Sequence, residues 1–203
     1  MASPPDNHRS PRPALPGEER LIRSAQRGDR NASAALVEHY WDRLFRWLYQ
    51  LTHDRHAAED LAQESFLRAF GALDRFQAGT NFSAWLFRIA HNAWANQRRA
   101  TRPRDPLPAE LPGREADPVD EALSREALQE LAQAVGKVPD ELRGAFLLRV
   151  EEGLSFREIA NVLETTEETA RWRVFKARQK LLHALTPQAS RPHLTDEQEQ
   201  EKP

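Results

Sequence analysis

The sequence predicts an all-α protein made of two small helical domains. Three observations carry this. Apolar residues recur at three- and four-residue spacing from 18 to 101 and again from 119 to 186, the period of helices that bury one face. No stretch shows the strict alternation of a half-buried strand. The 14 prolines gather at the two ends and in the middle, so they punctuate the chain between helical units rather than interrupting them.

The first unit, 18–101, contains no proline and reads as four helices. Leu21, Ile22 and Ala25 mark a short first helix. A longer one covers 31–51, with Leu36, Tyr40, Leu44, Leu48 and Leu51 at helical spacing. Asp54 is placed to cap a third, running to about residue 73, and Asn81 to cap a fourth, to about residue 99. Residues 102–118 hold five prolines among mixed charges and read as an extended, mobile linker. The second domain covers 119–186. Residues 1–17 and 187–203 read as disordered tails.

Composition narrows the function. With no cysteine among its 203 residues, the chain has no disulfide scaffold and no thiolate metal site. No run of about 18 apolar residues is present to span a membrane, and the polar first residues lack a signal peptide's apolar core, so a cytoplasmic protein is expected. The seven histidines are scattered; His53 and His56 flank a helix start with no third ligand nearby and read as solvated caps. No catalytic constellation, metal site or cofactor motif stands out. The net charge of −2 argues weakly against nucleic acid, but its distribution argues for it. Residues 94–104 carry four arginines and no acid, 105–123 carry six acids against one arginine, and 171–180 carry five bases and no acid. Charge segregated in blocks produces a surface field that can act on a polyanion.

Three helix faces carry the functional argument. On the third helix, Leu61, Ala62, Ser65, Phe66, Ala69 and Phe70 share one half, and Asp60, Gln63, Glu64, Leu67 and Arg68 the other. An ordinary solvated face is the plainer account, but Leu67 ringed by polar groups has the make-up of a protein-docking hot spot. On the fourth helix, Phe82, Leu86, Ile89, Ala90 and Ala93 form a core stripe with Trp85 at its edge. Roughly opposite lie Phe87, His91, Trp94 and Arg98, flanked by Arg88 and continued by Arg99. Either this second stripe packs on another helix, or it is an outward-facing aromatic and arginine platform for unstacked bases. The loop before it, from Phe76 to Asn81, is polar and flexible enough to line a pocket for a flipped base. In the second domain, Ser155 and Glu158 spell a capping box, Thr166 is placed to cap the next helix, and Ala170, Val174, Ala177 and Leu181 form its buried face. Its outer face presents Arg171, Trp172, Phe175 and Lys176, with Arg173 and Arg178 alongside. Two short helices with a basic outer second helix fit a helix-turn-helix that reads the major groove.

These elements occur in an order that resembles the sigma-70 family of RNA polymerase sigma factors, in particular the extracytoplasmic-function (ECF) group that keeps only regions 2 and 4. The likeness covers about residues 18–186. It rests on the segment from Asp60 to Arg68 (DLAQESFLR), that from Phe82 to Asn92 (FSAWLFRIAHN), Pro139 to Arg143, Phe146 to Arg149, Glu152 to Ala160 (EGLSFREIA) and Thr169 to Arg178 (TARWRVFKAR).

The resemblance implies that Asp60, Gln63, Glu64, Leu67 and Arg68 dock on the β′ subunit of core RNA polymerase, with β also a partner. It implies that Phe76, Asn81, Phe87, Arg88, His91, Trp94, Arg98 and Arg99 melt the −10 promoter element and hold its single strand. Thr169, Arg171, Trp172, Arg173, Phe175, Lys176 and Arg178 would read the −35 duplex, and the acidic linker would thread the polymerase channels. An anti-sigma factor is the implied regulatory partner of a chain that is monomeric when free. The chain departs from the family pattern at Glu164, where glycine is usual, at Thr165, where an apolar residue is usual, and at Trp172, where a small polar residue is usual. It also has Asn96 where many relatives carry an acid. A dimeric helix-turn-helix repressor would leave the faces at 60–68 and 87–98 idle; a helical adaptor would leave the basic runs idle.

Overall fold

The computed structural model describes residues 15–77, 79–100 and 133–185. The expected linker at 102–118, the tail at 187–203 and most of the N-terminal tail lie outside the described residues. Every regular element among the described residues is helical. The first unit comprises α1 (Glu18–Gln26), α2 (Arg30–Thr52), α3 (Arg55–Gly71), a 3₁₀ turn (Leu73–Arg75) and α4 (Phe82–Ala100). The second comprises a short helical stretch at 133–136, then α5 (Asp140–Val150), α6 (Phe156–Val162) and α7 (Glu167–Leu185).

Local chemistry sets the helix starts. Asp29 accepts from the backbone N–H of Asn31 and Ala32, and Asp54 from that of Ala57 at 3.1 Å. Asn81 caps α4 by accepting from Ala84 N–H at 3.2 Å. The third helix stops at Gly71 rather than near 73, because the chain tightens into the 3₁₀ turn there. α2 is the central beam of the first unit. It buries Leu36, Tyr40, Leu44, Trp47, Leu48 and Leu51, with α3 and α4 packed on it. Tyr40 donates its hydroxyl to the Glu18 carboxylate, which ties α1 to α2.

The two units share one apolar core. Ala145, Leu147, Leu148, Leu154, Ile159 and Ala160 belong to the same buried cluster as Leu36, Trp47, Phe82 and Phe87. α5 packs on α2 and α6 on α4. Gly144 lies where α5 meets α2: a Cβ there would sit 3.3 Å from Leu51 Cδ2 and 3.9 Å from Trp47 Cζ2. The Trp47 indole N–H donates to the Gly144 carbonyl at 3.3 Å. A smaller cluster of Ala134, Val138, Leu142, Ala177 and Leu181 closes the far side of the second unit.

Candidate polymerase and nucleic-acid interfaces

The α3 stripe lies in the open. Ala58, Leu61, Ala62, Ser65, Phe66 and Ala69 are buried, and Phe70 stacks on Phe66 on the same side. On the other half, Asp60, Gln63, Leu67 and Arg68 are exposed, and Glu64 is partly so. Leu67 is 74% exposed. Glu64 and Arg68, one turn apart, pair at 2.5 Å beside it, which gives the leucine a charged rim.

The α4 stripe is different. Phe82, Leu86, Ala90 and Ala93 fill the core of the first unit, and Trp85 sits at the edge against Phe76 and Phe82. The opposite stripe, which its sequence leaves free either to pack on another helix or to face outward, is largely covered: Phe87 is 0% and Trp94 8% exposed, and His91 is half-buried. Phe87 meets the Trp47 ring edge-on with centroids 5.4 Å apart, and His91 lies between Trp47 and Trp94. Phe87 packs on α2 through Trp47, and α6 of the second unit also lies along α4. Packing on another helix is therefore the account that holds for this stripe in the closed chain. The arginines stay at the rim. Arg88, Arg98 and Arg99 are exposed, with Arg98 stacked on the Trp94 face at 5.3 Å and Arg99 hydrogen-bonded to Asn96.

The loop before α4 needs a similar correction. Phe76 is buried rather than lining an open pocket; its ring packs edge-on against Phe82 at 5.4 Å, and its carbonyl accepts from the Gln26 amide at 3.0 Å. A cavity of about 530 Å³ does open beside it, lined by Gly79, Thr80, Phe76 and residues of α1. Asn81 contributes its side-chain oxygen to the α4 cap and its amide to Glu158 at 2.8 Å.

The helix-turn-helix forms as its sequence directs. Ser155 and Glu158 make the reciprocal capping box. Thr166 Oγ1 accepts from Thr169 N–H at 3.1 Å and bonds the Thr169 hydroxyl, so Thr169 is engaged in the cap. Burial of the Glu158 carboxyl pushes its pKa up, but the hydroxyl and N–H of Ser155, the Asn81 amide and Arg157 outweigh this and hold it below the usual carboxylate value. Ala170, Ala177 and Leu181 are buried and Val174 half-buried. Arg171, Trp172, Phe175 and Arg178 are exposed, Lys176 partly. Arg173, expected on the outer face, turns toward α5 and pairs with Glu141 at 3.2 Å.

Four residues bind the units together, and two of them, Arg143 and Glu152, lie in segments that carry the family likeness. Arg43 and Glu152 form a buried ion pair, and the Ser83 hydroxyl donates to the same carboxylate at 3.2 Å. Arg43 sits at the spacing of Leu36, Tyr40 and Trp47, so an arginine inside the α2 core stripe was its one visible sign. Arg143, 1% exposed, donates to the carbonyls of Gly136 and Val138, to Asp140 and to His53 Nε2. His53 thus ends α2 in a left-handed conformation and accepts an arginine, rather than serving as a solvated cap. Gly144 is the fourth.

This is a two-unit all-α architecture with a helix-turn-helix, a class defined by DNA-binding elements. A model of sigma-70 region 2 matches residues 36–104, and one of sigma-70 region 4 matches residues 128–181. The chain is 32% identical over 183 residues to the RNA polymerase sigma-H factor of Pseudomonas aeruginosa, covering 84% of this chain and 94% of that protein. It is 33% identical over 179 residues to the ECF RNA polymerase sigma factor SigW of Bacillus subtilis, covering 82% and 96%. Among solved structures, CnrH in complex with the cytosolic domain of CnrY superposes with a TM-score of 0.61 at 26% identity, covering 83% of this chain and 97% of that one. The sigma factor RpoE of Bartonella quintana, solved with the anti-sigma factor NepR, shares the fold (TM-score 0.59, 23% identity, 75% and 95% covered). The chain belongs to the ECF group of the sigma-70 family and acts in transcription initiation. Among the described residues no helix is long and apolar enough to cross a membrane.

Proposed function

We propose that this sigma factor docks on core RNA polymerase through the α3 stripe, reads the −35 element with the outer face of α7, and melts the −10 element by capturing its single strand on α4. Leu67 is the observation that carries the docking step. An isolated leucine left in water inside a ring of Asp60, Gln63, Glu64 and Arg68 loses its hydration cost only when a partner covers it.

For α7, arginines supply phosphate contacts and hence salt-dependent affinity, while Trp172, Phe175 and their neighbours meet base edges and supply selectivity. For α4, the exposed Arg88, Arg98 and Arg99 offer their charge to the backbone of the captured strand, and Phe87 and Trp94, buried in this structure, would have to be uncovered to meet unstacked bases. Extruding bases from the duplex is driven by what receives them, so strand capture and melting are one step. No covalent chemistry enters. The chain works in the cytoplasm as a monomer until it meets polymerase, and an anti-sigma factor is the regulatory partner the relatives point to.

The test is reconstitution. Purified chain added to core polymerase should bind it and support run-off transcription from a matched promoter. Failure to bind core would end the reading.

A further inference from the structure

Ala170, Ala177 and Leu181 form the buried face of α7. Successive side chains of a helix lie about 100° apart, which puts Trp172 about 140–180° around the axis from each of the three. The indole therefore stands on the crest of α7, within its first two turns, the part of a recognition helix that meets base edges. It is 53% exposed, and Phe175 on the next turn is 55% exposed.

The polar groups around the indole are engaged elsewhere. Arg171 pairs with Glu167 at 3.2 Å and stacks over the Phe156 ring of α6 at 4.4 Å. That leans its charge toward the helix that crosses the phosphate backbone in this motif. Arg173 is drawn to Glu141 on α5. The Thr169 hydroxyl is held in the cap by Thr166, and Lys176 reaches toward the C-terminus of α7, to Gln179 at 3.2 Å. Glu168, near the crest one turn before Trp172, is an exposed acid, suited to a cytosine amino group and not to guanine. The crest thus offers the groove a large apolar ring where a guanine-reading helix would offer a cation. Among base edges in the major groove the apolar group is the C5-methyl of thymine.

We propose that Trp172 makes this factor a reader of C5-methyl groups. The base pair beneath the indole in the −35 element carries a thymine, or a cytosine methylated at C5, and the ring covers that methyl. Both bases present the methyl at the same place in the groove. Cytosine methylation at this pair therefore strengthens a −35 element that the unmethylated base leaves weak, so the chain reads a mark as well as a sequence. The contact of the indole with DNA rests on the −35 role proposed for α7.

Holoenzyme formed with the full chain is offered promoter DNA randomised across the −35 element. The pair at which its preference differs from that of Trp172→Ser marks the site of the indole. Four bases are then compared at that pair: thymine, deoxyuridine, cytosine and 5-methylcytosine. Thymine differs from deoxyuridine by the methyl alone, as 5-methylcytosine does from cytosine. Each methyl should tighten holoenzyme binding by about fourfold, the effect of burying one carbon, and both ratios should fall to unity in Trp172→Ser. Trp172→Phe, which keeps a ring and loses the indole N–H, should retain most of each ratio. Identical preferences in the original chain and Trp172→Ser, methyl ratios of unity in the original chain, or ratios that persist in Trp172→Ser would each overturn the proposal. So would tighter binding of Trp172→Ser to every duplex alike, since the indole would then hold α7 away from the groove. A holoenzyme with no −35 preference at all would overturn the −35 role of α7, and this proposal with it.

Discussion

Arg43 of α2 and Glu152, in the turn after α5, form an ion pair across the two units with side chains only 10% and 3% exposed. Arg43 Nε donates to Glu152 Oε1 at 3.3 Å, a terminal nitrogen donates to the other oxygen, and the guanidinium also stacks over Tyr40 at 4.7 Å. Removing one partner of a buried pair costs about 3–5 kcal/mol, because the remaining charge is stranded in a poor dielectric, whereas replacing both by apolar groups is often neutral. Here the first unit has an escape: if the second swings away, Arg43 regains water. Glu152→Ala should therefore split the denaturant transition seen by tryptophan fluorescence, with separation of the units preceding unfolding of the first. Arg43→Met/Glu152→Leu should restore one transition. A single transition at the wild-type midpoint for Glu152→Ala would show that the pair does not hold the units together.

Leu67→Asp tests the docking stripe. Since the side chain is mostly in water, folding stability should stay within about 0.5 kcal/mol of the original. A charge at the centre of a hot spot should weaken core binding by about 2 kcal/mol or more, roughly thirtyfold. Titration of core polymerase against labelled chain measures it, with Gln77→Asp, exposed on the loop after the 3₁₀ turn, as the control for added charge. Equal affinities for the two variants would remove the stripe from the interface.

Parts of the molecule differ in how legible they are in sequence. The α3 stripe and the helix-turn-helix are local: period, capping box and turn all lie within about twenty residues, so chemistry nearby in the chain decides them. Phe87 and Trp94 are not local in that sense. Helical period reveals that α4 carries two apolar stripes, but what meets the second, Trp47 of α2 at Phe87 and α6 beside the helix, is distant in the chain. Phe76 was misread for a related reason. A short polar loop hides the anchoring role of its one aromatic, which depends on Phe82, Trp85 and Gln26 converging on it. Arg173 flanks the buried face of α7 by angle, and the position of Glu141 on α5 draws it inward.

The closed form should weaken on mild acidification. Burial lowers the pKa of His91, with Arg173 and Arg99 also opposing its charge and Asn92 and Glu164 favouring it. Burial likewise lowers that of His53, where Arg143 adds to the effect and Asp140 opposes it. Both are neutral in the closed chain, while the released or unfolded chain takes up a proton near 6.5. Their stabilisation is thus fully present above pH 6.5 and is lost as pH falls below it, until the depressed values are passed. Glu158, whose pKa is lowered, adds a further loss below about 4.5. Thermal midpoints should therefore drop between pH 7.5 and 5.5, and His91→Gln should flatten part of that slope. An unchanged slope in His91→Gln would assign the effect elsewhere.

Glu164→Gly separates strain from grip. At φ 49 glycine relieves about 1 kcal/mol of backbone strain, so the turn itself should become more stable. The contacts to Asn92 and Arg88 vanish with the side chain. Solution scattering should show a more open chain even though α6 and α7 resist denaturant better, whereas a residue of purely local importance would change stability alone. Glu164→Gln keeps an acceptor for Asn92 and loses the charge facing Arg88, so its scattering profile should fall between those of wild type and Glu164→Gly.

The outer face of α7 divides into two kinds of residue, and salt distinguishes them. Arg178 is exposed and has a cation to place on a phosphate. Arg178→Ala should weaken binding of the polymerase-bound factor to all −35 sequences alike and lower the slope of log K against log salt by about 0.9. Trp172 has no charge to neutralise and presents an indole where a small polar residue is usual in the family. Trp172→Ala should leave the salt slope unchanged while shifting the preferred −35 sequence, with differences of about 1–3 kcal/mol at the base pair the indole meets. Binding to a library of −35 variants at two or more salt concentrations measures both effects. A salt-slope change in Trp172→Ala, or a sequence-selective loss in Arg178→Ala, would mean that the two residues have been given each other's roles.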